Sequence, residues 1–323
     1  MKRNILCIVV LASAGCAGTF LPINDPGAVR FASGEVRGEC GHEGALIDLS
    51  KYLGHTPWPA DIAVDDDRVY VLASSGEVVA LDKDGTNPVV LARGPEDGYE
   101  LVVGTDAVYW STRRWFNTRA YYWHGRAQIH RVPKSGGDAD TIANSDELPM
   151  SLTLDATHLY WNDRERIYRV HRGGGPRQLL VEHDSILDGF AVDDHAIYWI
   201  EGNNDLYRAR KDGTDAELFA SNVQTWDDNL YQTATHLFLI DAESRLVRTP
   251  KTHYEPEVLL GRWPTDPGEW YELQAWNADV ARILLEAGAT PRGAIDATSE
   301  FVSADQTLVK TARPGRCESA PKP

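Results

Sequence analysis

The sequence predicts an all-β protein, and three observations carry that prediction. Aromatic triplets VYW, LYW and IYW (108–110, 159–161 and 197–199) recur inside short apolar runs. Each is followed by a run that ends in Lys or Arg and a glycine-rich turn, as RVPKSGG, RVHRGGG and RARKDGT. β-branched and aromatic runs bounded by Gly, Asp and Ser are the composition of strands joined by tight turns. The third observation is the period. The aromatic anchors Tyr70, Tyr109, Tyr160, Tyr198 and Phe238 stand 39, 51, 38 and 40 residues apart, near the roughly 40 to 50 residues of a propeller blade.

Each copy holds four short runs, shown uninterrupted by IAVDDDRVYVLASSGEVVALDKDGTNPVVLA (62–92) and FAVDDHAIYWIEGNNDLYRARKDGTDAELFA (190–220). A four-stranded meander cannot cover both of its faces alone, so copies stack around an axis. The expectation is a six-bladed β-propeller of four-stranded antiparallel blades. The second copy runs over 101–111 and resumes at 128–143, and 152–180 and 231–260 give two more. In the sixth, AIDATSEFVSADQTLVKTARPG (294–315) aligns with the third copy and puts Phe301 at the anchor. That copy lacks a fourth run, which GALIDLS (44–50) supplies, so an N-terminal strand completes the last blade and closes the ring.

The 63 residues from Phe238 to Phe301 leave room for an inserted helix near 278–287. Asn277 stands as its cap, Val280, Ile283, Leu284 and Ala287 fall on one face, and Gly288 marks the stop. A rival register starts the sixth blade at YELQAWNADVARI instead, because YEL also opens the second blade at Tyr99.

The N-terminus reads as an export signal: Lys2 and Arg3, an apolar run from Ile5 to Ala12, then small residues up to Cys16. Ser13–Cys16 resembles the lipobox of bacterial lipoproteins, which makes Cys16 the lipidation site and the membrane contact a lipid anchor. Ordinary secretion with a cut near Ala17 is the other reading. The organisation is then signal 1–16, linker 17–43, propeller 44–317 and tail 318–323. In an oxidising envelope compartment the remaining cysteines, Cys40 and Cys317, are expected to pair. The formal net charge is -16, which argues against nucleic acid, since phosphate neutralisation needs clustered cations.

The aromatic triplets and the turns after them resemble the YWTD propellers of low-density-lipoprotein receptors, and more closely exported bacterial propeller lipoproteins, over roughly residues 44–315. The Thr-Asp half of that motif is absent. The resemblance implies the fold and, for function, binding by one face of a protein in the cell envelope.

Gly173–Gly175 fall where other copies have SGG or DGT, so the segment reads as a hairpin turn rather than a phosphate loop. Acids such as Asp65–Asp67 and Asp193–Asp194 read as solvated turn residues. His158 and His236 share one repeat position, which speaks against their forming a metal pair. The departures from the repeat are more informative. Between its second and third strands the second blade carries TRRWFNTRAYYWHGR (112–126), with Trp115, Phe116, Tyr121, Tyr122 and Trp123 among four arginines. Loops between blades, opening at the same end, carry Trp58, Tyr99 and Trp226. Exposed aromatics interleaved with Arg favour a surface for a protein, peptide or glycan, with a plug over the ring's mouth as the alternative.

Nine residues before the anchors stand Asp61, Glu100, Ser151, Gly189 and Asn229, with Asp188 one step earlier. The set Asp61, Glu100, Asp188 and Asn229 could hold a hard cation such as Ca²⁺, similar to the metal-dependent gluconolactonase type of propeller. That arrangement would make the chain a lactonase-like hydrolase. Neither a Gly-x-Ser-x-Gly elbow nor a dinucleotide fingerprint is present, so no catalytic residues are assigned. A non-enzymatic binding or scaffold module without cofactor is the leading expectation.

Overall fold

The computed structural model describes residues 59–261 apart from short gaps, of which 118–121 and 224–229 are the longest. It also describes the backbone of strands at 36–37, 43–48, 294–295, 299–304 and 307–312, and two positions near residue 285, Ile283 and Ala287. The strands Trp115–Asn117 and Tyr122–His124 are described in backbone only.

Five antiparallel sheets of four strands follow one another along the chain. The first comprises Pro59–Val64, Arg68–Ala73, Glu77–Asp82 and Val89–Arg93. The second comprises Gly98–Val103, Ala107–Thr112, Gln128–Pro133 and Asp140–Asn144. The third runs from Met150–Leu154 through His158–Asp163 and Arg166–His171 to Gln178–Glu182. The fourth uses Leu187–Val192, Ala196–Glu201, Leu206–Arg210 and Glu217–Ala220, and the fifth Tyr231–Gln232, His236–Ile240, Leu246–Pro250 and Glu257–Leu260.

A further sheet has five strands where the repeat predicts four: Val36–Arg37, Glu43–Asp48, Thr307–Ala312, Ser299–Ala304 and Ala294–Ile295, in that spatial order. Its extra member is the short strand that turns back on Glu43–Asp48. Ala45 pairs with Lys310 and Asp48 with Thr307, so an N-terminal strand stands beside the last strand in sequence. Ala294–Ile295 lies beside Pro59–Val64 of the first sheet.

One register repeats throughout. Each anchor sits opposite the residue seven positions before it: Ala63 and Tyr70, Val102 and Tyr109, Thr153 and Tyr160, Ala191 and Tyr198, Tyr231 and Phe238, Ala294 and Phe301. Phe301 is therefore the anchor of the last sheet, and the rival register beginning at Tyr271 does not hold. Ile283 is helical and accepts a hydrogen bond from the Ala287 N–H at 3.0 Å. Its side chain packs on Ile240 and Leu246 of the fifth sheet.

The cores lie between sheets. Tyr70, Leu72 and Leu91 of the first meet Val108, Trp110 and Val132 of the second. Tyr109, Ile129 and Ile142 meet Leu159, Trp161 and Val170 in the same way, and Tyr160 and Val181 meet Ile197 and Trp199. The five anchors are 4% exposed or less. Large aromatics each bury about 150–250 Å², which at roughly 25 cal/mol per Å² makes these seams the main source of stability. Trp161 and Trp199 stack on Tyr168 and Tyr207 one strand over, at 5.4 and 5.6 Å between centroids, and Trp110 stacks on His130 at 5.3 Å.

Candidate functional site

Because strands alternate in direction, each sheet has two ends. One end carries the connections between sheets and the loops joining second to third strands. The other carries the first and third hairpin turns.

At the connection end, the insertion in the second sheet forms a two-stranded antiparallel sheet of its own. Trp115 pairs with His124, Phe116 with Trp123, and Asn117 with Tyr122. Arg113, at its base, is exposed and donates its N–H to the Asp97 carbonyl at 3.1 Å. Tyr99 stands half-buried in the strand Gly98–Val103 at the same end. Trp58 and Trp226 lie outside the described residues, as do Asn229, Cys16, Cys40 and Cys317.

Two of the four residues expected at a cation site have another task. Asp61 Oδ2 accepts the N–H of Leu101 at 2.8 Å, and Glu100 Oε2 accepts the N–H of Leu152 at 2.9 Å. Each carboxylate thus reaches from the innermost strand of one sheet to that of the next. Charge-assisted bonds of this kind are about twice as strong as neutral ones, so these acids staple the wall. Asp188 sits in the strand Leu187–Val192, and its side chain lies outside the description. Ser151 takes the equivalent position in the third sheet. It is 2% exposed, has a left-handed φ of 57°, and its Oγ has no hydrogen-bond partner.

Just outside this wall, Trp161 donates its indole N–H to Ser145 Oγ at 3.3 Å, and Ser145 donates to Asp163 Oδ2 at 3.0 Å. Asp163 is 1% exposed, and burial pushes its carboxyl up to about 6. In the fourth sheet, Glu201 Oε1 takes the Trp199 indole N–H at 3.2 Å. Burial likewise holds His130 down at about 4, so its imidazole is neutral.

The turn end holds a repeated device that the sequence reading missed. In the first sheet, Asp65 accepts the Tyr70 hydroxyl at 2.9 Å, the N–H of Arg68 at 2.8 Å, and Lys134 Nζ of the second sheet at 2.6 Å. Asp155 of the third accepts Tyr160 OH at 2.7 Å, the N–H groups of Thr157 and His158 at 2.6 Å, and Lys211 Nζ of the fourth at 2.7 Å. Asp193 of the fourth takes Lys251 Nζ of the fifth at 2.6 Å. In the second sheet, Arg172 of the third donates to the Tyr109 hydroxyl at 3.1 Å and pairs with Asp106.

Every one of these cations lies within 6 Å of the anchor ring it reaches, close enough for a cation–π contribution. Asp65 and Asp193 are therefore latches between sheets and not solvated turn residues. Burial raises the affinity of these acids for protons, but the lysine and the backbone N–H groups outweigh it and hold Asp65, Asp155 and Asp193 below the ordinary carboxylate value. Three of the latch cations, Lys134, Arg172 and Lys211, occupy the first corner of a glycine turn with the geometry of a hairpin, and Lys251 stands in the glycine-free segment 250–253. Gly136, Gly174 and Gly213 have φ between 80° and 89° and donate to Pro133, His171 and Arg210. The signal was legible: an acid precedes four anchors by five residues, as Asp65, Asp155, Asp193 and Asp296, and three of those four anchors are Tyr.

No family model matches the chain, and no curated protein matches it in sequence. Among solved structures it is similar to the WD40 β-propeller domain of Doa1, with a TM-score of 0.53, 9% identity, and coverage of 84% of this chain and 97% of that one. It is also similar to oligogalacturonate lyase in complex with manganese, with a TM-score of 0.51, 11% identity, and coverage of 81% and 78%. The fold is a β-propeller. At these identities the likeness carries the fold and nothing of the chemistry. The five four-stranded sheets are its blades.

Proposed function

We propose that this is an exported, lipid-anchored, six-bladed propeller of the YWTD-like kind that binds a protein, peptide or glycan in the cell envelope through the connection end. The face would be built from Trp58, Tyr99, Trp115, Tyr122, Trp123 and Trp226. The observation that carries the reading is the insertion after Thr112, whose strands Trp115–Asn117 and Tyr122–His124 pair with each other and, among the described residues, with no blade strand. A segment rich in Trp, Tyr and Arg that adds nothing to the blade ladder has the composition of binding hot spots. The sixth blade and the ring closure rest on the pairing of Glu43–Asp48 with Thr307–Ala312 and on the place of Ala294–Ile295 beside the first blade.

Truncating Trp123 and Trp226 to Ala together is expected to abolish capture of the partner from an envelope extract while leaving the Tm unchanged. Capture equal to wild type would overturn the reading. The hydrolase alternative gains no specific observation, since Asp61 and Glu100 already staple neighbouring blades. Calcium bound in stoichiometric amount after purification without chelator would reopen it.

A further inference from the structure

At the turn end, opposite the aromatic insertion, a cleft of about 380 Å³ opens between the third and fourth blades. Thr157, His158 and Arg169 line one side, and His195, Arg210 and Lys211 the other. Asp155, Tyr160 and Asp212 complete the lining, and no aliphatic residue takes part.

Asp155, the most buried acceptor in the cleft, is committed. Asp155 receives five donors: the Thr157 N–H and hydroxyl, the His158 N–H, Tyr160 OH and Lys211 Nζ. A carboxylate has about four lone-pair sites, so it is saturated. Asp212 Oδ1 is turned to the N–H and hydroxyl of Thr214, at 3.0 and 2.6 Å.

The donors are in excess. Arg169 donates Nε to Gln178 at 2.8 Å and Nη1 to the Lys211 carbonyl at 3.1 Å, and a guanidinium has five N–H groups to give. Arg210 is held only by Asp215, in a pair whose side chains are 71% and 68% exposed. Water competes for such a pair, which leaves it little net strength. His158 uses Nδ1 on the Thr157 hydroxyl at 2.7 Å, and the His195 ring has no hydrogen bond among the described residues. Lys211 is spent on Asp155, so the spare N–H groups of the cleft are those of Arg169 and Arg210, in a chain of net charge -16.

We propose that this cleft binds a small hydroxylated anion, a monosaccharide-sized molecule bearing a carboxylate or phosphate. Two arginine forks suit either oxyanion. The depression is broad and open to solvent, with room for a molecule larger than an inorganic ion. Every lining side chain carries a polar group, which suits hydroxyl groups on the ligand. The site is separate from the aromatic face, and neither reading depends on the other.

The test is calorimetric titration of the full chain at low ionic strength with glucuronate, glucose 6-phosphate, glucose and inorganic phosphate. One or both charged sugars should bind and glucose should not, and whichever charged sugar binds tighter identifies the oxyanion. Arg210→Glu, at an exposed position, should keep the Tm and weaken that binding at least about tenfold. A His158→Ala/His195→Ala variant with unchanged Tm should weaken it as well. Undiminished affinity in both variants would overturn the proposal, as would glucose binding equally well or no binding of either charged sugar. Phosphate binding as tightly as glucose 6-phosphate would mean an adventitious ion only, and would overturn it too.

Discussion

Single side chains in this propeller do their work across blade boundaries, and titration is where that becomes measurable. Asp163, almost fully buried and held up at about 6, binds a proton more tightly folded than unfolded. Its raised value means that stability is lost as pH climbs from the ordinary 3.8 towards 6, and stays lost above that. Asp163→Asn keeps an acceptor for Ser145 and removes the charge. It should raise stability at pH 8 by on the order of 3 kcal/mol, at about 1.4 kcal/mol per pH unit, with little change at pH 4. A thermal melt at the two pH values checks this.

The latch acids have the opposite sign. Asp65, Asp155 and Asp193 are held below the ordinary carboxylate value. Their stabilisation is full above that value and is lost as pH falls through the lowered ones. Asp155→Ala strands Lys211 and the Tyr160 hydroxyl in a half-buried seam, with an expected cost of about 2–3 kcal/mol at pH 7 by urea unfolding. That difference should shrink as both proteins approach acid unfolding.

At the scale of the element, the glycine turns act as hairpins and as seam surfaces together. In blade four, a Cβ on Gly213 would run into the backbone carbonyl of Leu180 in blade three, at a φ of +87°. Gly175 has a φ of +128° and nothing within 4 Å of a Cβ. Gly213→Ala should therefore cost more than Gly175→Ala, which carries backbone strain of about 1–2 kcal/mol alone. Comparing the two denaturation midpoints separates steric contact from strain, and equal midpoints would show that the approach of blade three imposes nothing. The fifth blade lacks the device. Thr233 and Phe238 stand where three other blades have Asp and Tyr, while the second copy keeps Tyr109 with Gly104 and the last keeps Asp296 with Phe301.

Over the whole molecule, the longest-range pairing joins Glu43–Asp48 to Thr307–Ala312. Removing residues 1–50 would leave the strand Thr307–Ala312 as an open edge, and such edges template aggregation. The truncated protein should melt less cooperatively and elute from size exclusion as aggregate. A sharp melt at the wild-type temperature would show that the last sheet stands without its N-terminal strands.

What the sequence determined by itself was the repeat. Aromatic anchors at near-constant spacing, glycine turns and period-two strands are local patterns, and local patterns specify local structure. They were enough for the propeller, for Phe301 as the last anchor and for the hairpin reading of Gly173–Gly175. Only the tertiary structure decided what the polar residues do, because their partners lie one blade away. Asp61 looked like a metal ligand until the N–H of Leu101 came within 2.8 Å of it, and Asp65 looked solvated until Lys134 reached it from the next blade. The cleft between blades three and four was equally invisible in the chain. A cavity is made by the faces of two repeats, and neither repeat carries it alone.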